Sequence, residues 1–465
     1  MRIKDISIRH FRGFEHQTFE LDPQMNVVLG DNTSGKTTLL HGVQVALGAY
    51  LQALTLLPGG KPYRRNFKDS DWVRKYSEAN RSFLRIQEKP EIAVTADFFV
   101  HTFQLPQSKV KISRSHGVSA ELDGQAGLHP LQSEIKQIHW AKSSNNLSQK
   151  HAKELLNAVA EMQQQRMEAD ETGQNVVFPL LLSFGANRLE KNYRAATKTK
   201  ARESNVEKAY KCALEKEVDF QSAFDWIYKY DRNLDKGQEF EGTDQAFLNA
   251  IRTAIPAILA VDIDRKNNEF SAQIKTMAYP TPKWLTYSMM SDGFKAMINI
   301  VAEIAYRCIQ LNGFLGAQAV TETPGVVLID ELDLYLHPHW QQHVLADLRK
   351  AFPWMQFIIT THSPFIVQSV ASHNIITLDG KKGYSDPNKR SIEEIVVSEM
   401  NMDTVRSAKY NEMLEVAENY YQLVKAGKGN TEESAEVKEK LDCLELQFSD
   451  DPAYVALLRA ERGDL

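Results

Sequence analysis

The chain has 465 residues, of which 43% are hydrophobic, 25% charged and 9% aromatic, a balance that suits a globular protein with more than one core and excludes a disordered or fibrous one. Its 55 Lys and Arg against 60 Asp and Glu leave a formal charge of −5, so contact with a polyanion would rest on a local basic patch and not on the whole surface. Three widely spaced cysteines, Cys212, Cys308 and Cys443, suit a reducing compartment better than a disulfide framework. No run approaches the ~20 apolar residues of a membrane span, and the N-terminus has no signal-peptide pattern. The expectation is a cytoplasmic protein with no membrane partner.

Residues 1–29 alternate as strands do and end in the apolar run Met25-Asn26-Val27-Val28-Leu29 before Gly30. After Thr37 the apolar residues Leu39, Leu40, Val43, Val45 and Ala46 continue as a helix to about Gly48. From about 50 to 260 the pattern weakens, with strand-like residues at 92–100, a polar helical stretch at 147–168 and neither repeats nor sustained heptads. Between Arg188 and Lys208 seven Lys or Arg stand against three Glu, a basic strip that is either a solvated face or a nucleic-acid contact. Strong periodicity returns with a helix from Asp292 to about Gln310, a strand at 325–329, a helix after Pro338 and a strand at 356–360. Apolar runs of four or five residues without alternation suit parallel strands covered on both faces. The last 35 residues carry ten acids and four bases, so the helical region from 391 ends in an acidic appendage.

Gly30-Asp31-Asn32-Thr33-Ser34-Gly35-Lys36-Thr37 fits the phosphate-binding loop pattern G-x-x-x-x-G-K-[ST] and stands between a strand and a helix, as that loop must. Its glycines let successive N–H groups face phosphate oxygens at a helix N-terminus. Gly30, Asn32, Ser34, Gly35, Lys36, Thr37 and Thr38 are therefore the expected nucleotide contacts, Lys36 on the β- and γ-phosphates and Thr37 also on Mg²⁺. Val326-Val327-Leu328-Ile329-Asp330-Glu331 places two carboxylates at a strand end, with Asp330 on the metal side and Glu331 as the group that activates or positions water.

A third motif decides among P-loop proteins. Met290-Ser291-Asp292-Gly293-Phe294-Lys295 opens a helix with a 3.6-residue apolar stripe, capped by Ser291 or Asp292. It resembles the signature loop of the ABC ATPases, with Met for Leu and Asp for the first Gly. In that family the serine and glycine contact the γ-phosphate held by a second subunit, so the resemblance implies that Ser291, Gly293 and Lys295 act in trans within at least a head-to-tail nucleotide-sandwich dimer. Thr360-Thr361-His362-Ser363-Pro364 is similar to the switch loop, which makes His362 the γ-phosphate sensor. The opening Ile8-Arg9-His10-Phe11-Arg12-Gly13-Phe14 is similar to the first strand of RecF-like and OLD-like members, a resemblance that sets Arg12 near the nucleotide. Leu336-His337-Pro338 also looks OLD-like. His339 and His343 have the i, i+4 spacing of a zinc pair, but no third ligand is evident.

The spacing of about 255 residues between the first and second ABC motifs, the lack of heptads and the lack of Toprim carboxylates after Ser369 set the chain apart from transporters, chromosomal SMC proteins and OLD nucleases. It most resembles the PtuA group, the ATPases of Septu anti-phage systems that also accompany some retrons; the segment Phe178–Arg188 shares in that resemblance. This implies ATP and Mg²⁺ as cofactors, no nuclease of its own, and an HNH nuclease partner of the PtuB kind. A RecF-like repair ATPase acting on DNA ends or gaps is the alternative. The expected plan is an α/β, ABC-type core: an N-terminal lobe at 1–50, a large α+β insertion and lobe-completing region at 51–283, a C-terminal lobe at 284–390, and a helical partner-docking region at 391–465.

Overall fold

Four apolar runs that need cover on both faces meet in one sheet. The computed structural model describes residues 1–58, 63, 65–78, 81–104, 132–143, 147, 149–186, 203–215, 220–378, 386–400, 402, 407–429 and 431–446. In it five parallel strands run in the order Ile375–Thr377, Met25–Leu29, Met355–Thr360, Gly325–Ile329, Leu180–Phe184. Every residue of the last four is buried, which is why they read as largely apolar stretches without polar-apolar alternation. Because all five are parallel, the Gly30 loop, Asp330, Thr361 and Gly185 leave the sheet at the same edge, where ligands of such sheets bind.

The helices that follow the Gly loop and the signature motif, Lys36–Ala53 and Asp292–Asn312, are buried along most of their length. A second, antiparallel sheet runs Phe14–Glu20, Arg2–Phe11, Glu91–Gln104, Gln132–Lys142, with Gln174–Val176 pairing the third of these. The region 51–283 therefore supplies strands to both large sheets. It also carries the helix Gln149–Met167, the hairpin Arg74–Ser77 with Ser82–Arg85, and the strands Ile258–Asp264 and Glu269–Ile274, which Lys283–Thr286 extends to a three-stranded sheet across the boundary at 283. Most of the basic strip, from Arg188 to Arg202, lies outside the described residues. Lys208 is on the short helix Asn205–Tyr210.

The chain divides into two compact units, Met1–Ile395 and Val396–Leu465. In the second, the helices Ala408–Lys425 and Glu432–Leu446 bury Met413 and Leu441 and are joined by an ion pair of Lys440 with Glu412 at 3.0 Å. Tyr421 and Val424 remain 49% and 44% exposed.

Gln356 ties the two large sheets of the first unit together. Fully buried, its amide donates to the carbonyls of Ile3 and Asp22, both at 2.8 Å, and accepts from the Ile3 N–H at 2.8 Å. Asn26 does similar work one strand away: its amide donates to Asp22 O and Phe357 O and accepts from the Asp22 N–H. These polar residues interrupt apolar strands because unpaired backbone groups lie opposite them, and an unmet buried partner costs about 1–3 kcal/mol. Gln356→Leu keeps the volume and takes the side-chain partner from both the N–H and the carbonyl of Ile3, while Asp22 O keeps its bond from Asn26, so it should lower stability by about 2–4 kcal/mol, read as an earlier urea midpoint; an unchanged midpoint would contradict this account.

Candidate functional site

The Gly loop has a backbone that only its glycines permit. Gly30 and Gly35 have φ of 151° and 106°. A Cβ at Gly30 would stand 2.3 Å from Ser34 Oγ, and one at Gly35 would stand 2.9 Å from the Phe14 ring. Phe14, at the first antiparallel hairpin, thus sets the floor under the loop. The Lys36 ammonium is folded into the loop and donates to Asp31 O at 3.0 Å and to Gly30 O. Ser34 Oγ is buried without a hydrogen-bond partner among the described residues. A buried hydroxyl awaiting a partner, an ammonium inside a glycine-framed loop and a helix N-terminus together fit a phosphate chain. Thr38 is half-buried and Asn32 exposed at the rim.

The two carboxylates meet this loop through threonines. Thr37 Oγ1 donates to Asp330 Oδ2 at 3.3 Å, and the fully buried Thr360 Oγ1 donates to Asp330 Oδ1 at 2.6 Å. The same Thr360 oxygen accepts from the Glu331 N–H at 2.8 Å, and Glu331 has φ of 51°. Glu331 is thereby turned away from the strand direction at the sheet edge. Asp333 accepts from Thr361 Oγ1 at 2.6 Å and from the His362 N–H at 3.2 Å, leaving the His362 side chain exposed. Thr37, Asp330, Glu331 and His362 are thus linked through Thr360, which opens the switch motif but was given no role there, and Asp333, a loop residue that sequence reasoning assigned none.

The signature loop sits on the segment after the acidic pair. A Cβ on Gly293 would stand 2.7 Å from Tyr335 O, and Phe294 meets Trp340 edge to face with centroids 4.4 Å apart. Ser291 occupies the N-cap position in an extended conformation, yet its side chain makes no capping bond and is exposed. Lys295 lies 3.7 Å from Asp292.

Arg12, with φ of 53°, binds Asp71 twice, Nε and Nη2 each 2.8 Å from Oδ1, and its N–H donates to Asp71 O at 2.9 Å. Burial alone would raise the Asp71 pKa; the Lys68 N–H, Arg65 and Arg12 more than offset it and hold the carboxyl below the ordinary range. His339 and His343 are exposed with rings 5.5 Å apart, and no cluster of three or more metal-binding side chains occurs among the described residues.

Against known proteins, an AAA-domain family model matches residues 5–268, more than half of the chain, and a second AAA-domain model matches 215–368. The chain belongs to the AAA-domain family. It is similar to the retron Vc95 probable ATPase of Vibrio cholerae, at 24% identity over 94% of this chain and 86% of that protein. It is also similar to the retron Ec83 probable ATPase of Escherichia coli, at 22% identity over 83% and 73%. The Septu protein PtuA of Bacillus thuringiensis is 35% identical over a shorter stretch, 28% of this chain and 35% of that one. No helix among its described residues is long and apolar enough to cross a membrane.

This geometry separates two neighbours in the signature loop. Ser291→Ala should change stability by less than about 0.5 kcal/mol, against the ~1 kcal/mol of a working cap, whereas Gly293→Ala must displace the Tyr335 backbone and should lower the thermal midpoint visibly. Equal midpoints for the two variants would refute the contact.

Proposed function

We propose that this protein binds and hydrolyses MgATP at sites shared between two copies, and that the nucleotide state controls a separate HNH nuclease in anti-phage defence. The observation that carries the reading is the convergence of the Gly30–Thr37 loop, with its partnerless buried Ser34 hydroxyl, on Asp330 and Glu331 through Thr37 and Thr360. The retron and Septu names of its relatives supply the biological setting.

In this reading Gly30, Asn32, Ser34, Gly35 and Thr38 hold the phosphates, and Lys36 neutralises them from within the loop. Thr37 and Asp330, already 3.3 Å apart, would hold Mg²⁺, which when bound supplies charge neutralisation on the phosphate oxygens. Glu331, aimed by its left-handed backbone and by Thr360, orients water and takes its proton. His362, positioned by Asp333, faces the γ-phosphate side. Arg12 approaches the nucleotide from the Phe14 hairpin. Ser291, whose hydroxyl is committed to no cap, acts with Gly293 and Lys295 on the phosphate held by the other copy. Val396–Leu465, with its exposed Tyr421 and Val424, is the surface offered to the nuclease.

Lys36→Ala should weaken ATP binding at least about tenfold by calorimetry without lowering the melting temperature, because the lysine bonds loop carbonyls and not the core; affinity equal to the parent would sink the assignment. Glu331→Gln should still bind ATP but lose turnover by a factor on the order of 10²–10⁴, and full turnover would move the catalytic role elsewhere.

Mixing Lys36→Ala with Ser291→Arg subunits leaves one intact composite site in each mixed pair. Turnover above that of either variant alone is expected, and no rescue at any ratio argues against sharing. Deleting the chain after Ile395 should spare ATP binding and abolish capture of an HNH nuclease of the PtuB kind; capture by the truncated chain would place the docking surface in the first unit.

A further inference from the structure

The hairpin Arg74–Ser77 with Ser82–Arg85 takes no part in the nucleotide site. Among the described residues its strands pair only with each other, and seven of their eight residues are exposed. Tyr76 and Phe83 are 56% and 66% exposed and lie against one another, centroids 5.3 Å apart. The register sets Tyr76 opposite Phe83 and Arg74 opposite Arg85, so strand alternation puts all four on one face. Two large rings in water and two like charges face to face are both unfavourable in an isolated ribbon. Such a face calls for an occupant that is flat, apolar on its surfaces and anionic along its length.

Charge points the same way. Residues 72–89 carry Arg74, Lys75, Arg81, Arg85 and Lys89 against Glu78 and Glu88, a balance of +3 within a chain of −5. Asp69 forms ion pairs with Arg74 and, at 3.4 Å, with Arg85, and Glu15 lies 3.4 Å from Lys75. These pairs are exposed and individually weak in water, so phosphate oxygens can take the place of the carboxylates. Arg85 also stacks over Trp72, its guanidinium carbon 3.0 Å from the ring centre.

We propose that this face binds single-stranded nucleic acid, with bases stacked on Tyr76 and Phe83 and the backbone tracked by Arg74, Arg81 and Arg85. Stacking of this kind tolerates any sequence, since every base offers a flat face. A duplex keeps its bases stacked internally and cannot offer them to the rings. The root of the hairpin joins the first strand: Trp72 bridges Phe11, and Asp71 binds Arg12. An occupied hairpin is therefore mechanically continuous with the Phe14 floor of the Gly loop.

The test measures fluorescence anisotropy of a labelled oligothymidylate of about 20 nucleotides, enough to span a stacking surface, with the full chain, without ATP and at low salt. Omitting ATP keeps the result independent of the nucleotide assignments. Tyr76→Ser with Phe83→Ser should weaken binding at least about tenfold, with the melting temperature unchanged. Arg81→Ser should flatten the salt dependence by about 0.7 in log–log slope. Asp69→Asn should tighten binding a few-fold by releasing the two arginines from a competing carboxylate, a gain that misfolding cannot imitate. The proposal is overturned if the parent does not bind the oligonucleotide, if the ring variant binds as the parent does, or if a duplex of the same length binds equally well and loses as much in the ring variant.

Discussion

One buried hydroxyl holds the chemistry in place. Thr360 ends the strand that lies between those leading to the Gly loop and to the acidic pair, and its oxygen donates to the Asp330 carboxylate while accepting from the Glu331 N–H. Glu331 is left-handed there, a conformation that costs a non-glycine residue of order 1–3 kcal/mol. Asp330 is held on the opposite oxygen by Thr37. A hydroxyl on the middle strand thus orders residues from all three strand ends, and the separations between them follow from the ~4.8 Å spacing of neighbouring strands.

The same economy appears deeper in the fold, where several buried polar side chains answer a backbone or side-chain group opposite them. Beneath the Gly loop, His41 Nδ1 meets Gln44 Oε1 at 2.8 Å, and Gln44 donates to Ser183 Oγ at 2.8 Å, all buried. This connects the helix that begins at Lys36 with the strand beside Gly325–Ile329. Like Gln356 and Asn26, these residues specify which neighbour a strand accepts, since an apolar surface alone would tolerate several registers.

The parts of the molecule legible in its sequence are those whose chemistry is local. The Gly loop, the acidic strand end, the signature helix and the switch strand each announce themselves within about ten residues, and the structure has strand or helix where each was expected. Relations between distant segments were not legible. Nothing in Glu91–Gln104 says that it pairs with Arg2–Phe11, or in Leu180–Phe184 that it lies beside Gly325–Ile329. Asp71, the partner of Arg12, stands 59 residues downstream of it in a stretch without periodicity. Asp333 looks like an ordinary loop residue, and the switch motif that Thr360 opens says nothing of its bonds to Asp330 and Glu331. The position of Ser291 predicts a side-chain cap on the signature helix, yet that hydroxyl makes no capping bond, because extended backbone at an N-cap does not oblige the side chain to turn back.

The bond between Ile3 and Gln356 spans 353 residues, and that separation bears on how the protein comes into being. A ribosome adding about 5–20 residues per second has made the Gly loop long before it makes the strand that must lie beside Met25–Leu29. For about 16–64 s at that rate, while the residues between the Gly loop and Met355 are made, the nascent chain owns a phosphate loop with no neighbouring strand to anchor it. A product interrupted anywhere before residue 356 lacks the strand that joins the two sheets, and with it the threonine that gathers the carboxylates. Translation itself therefore acts as a quality gate: a message broken before that point yields a chain without the strand on which its two sheets and its carboxylates depend.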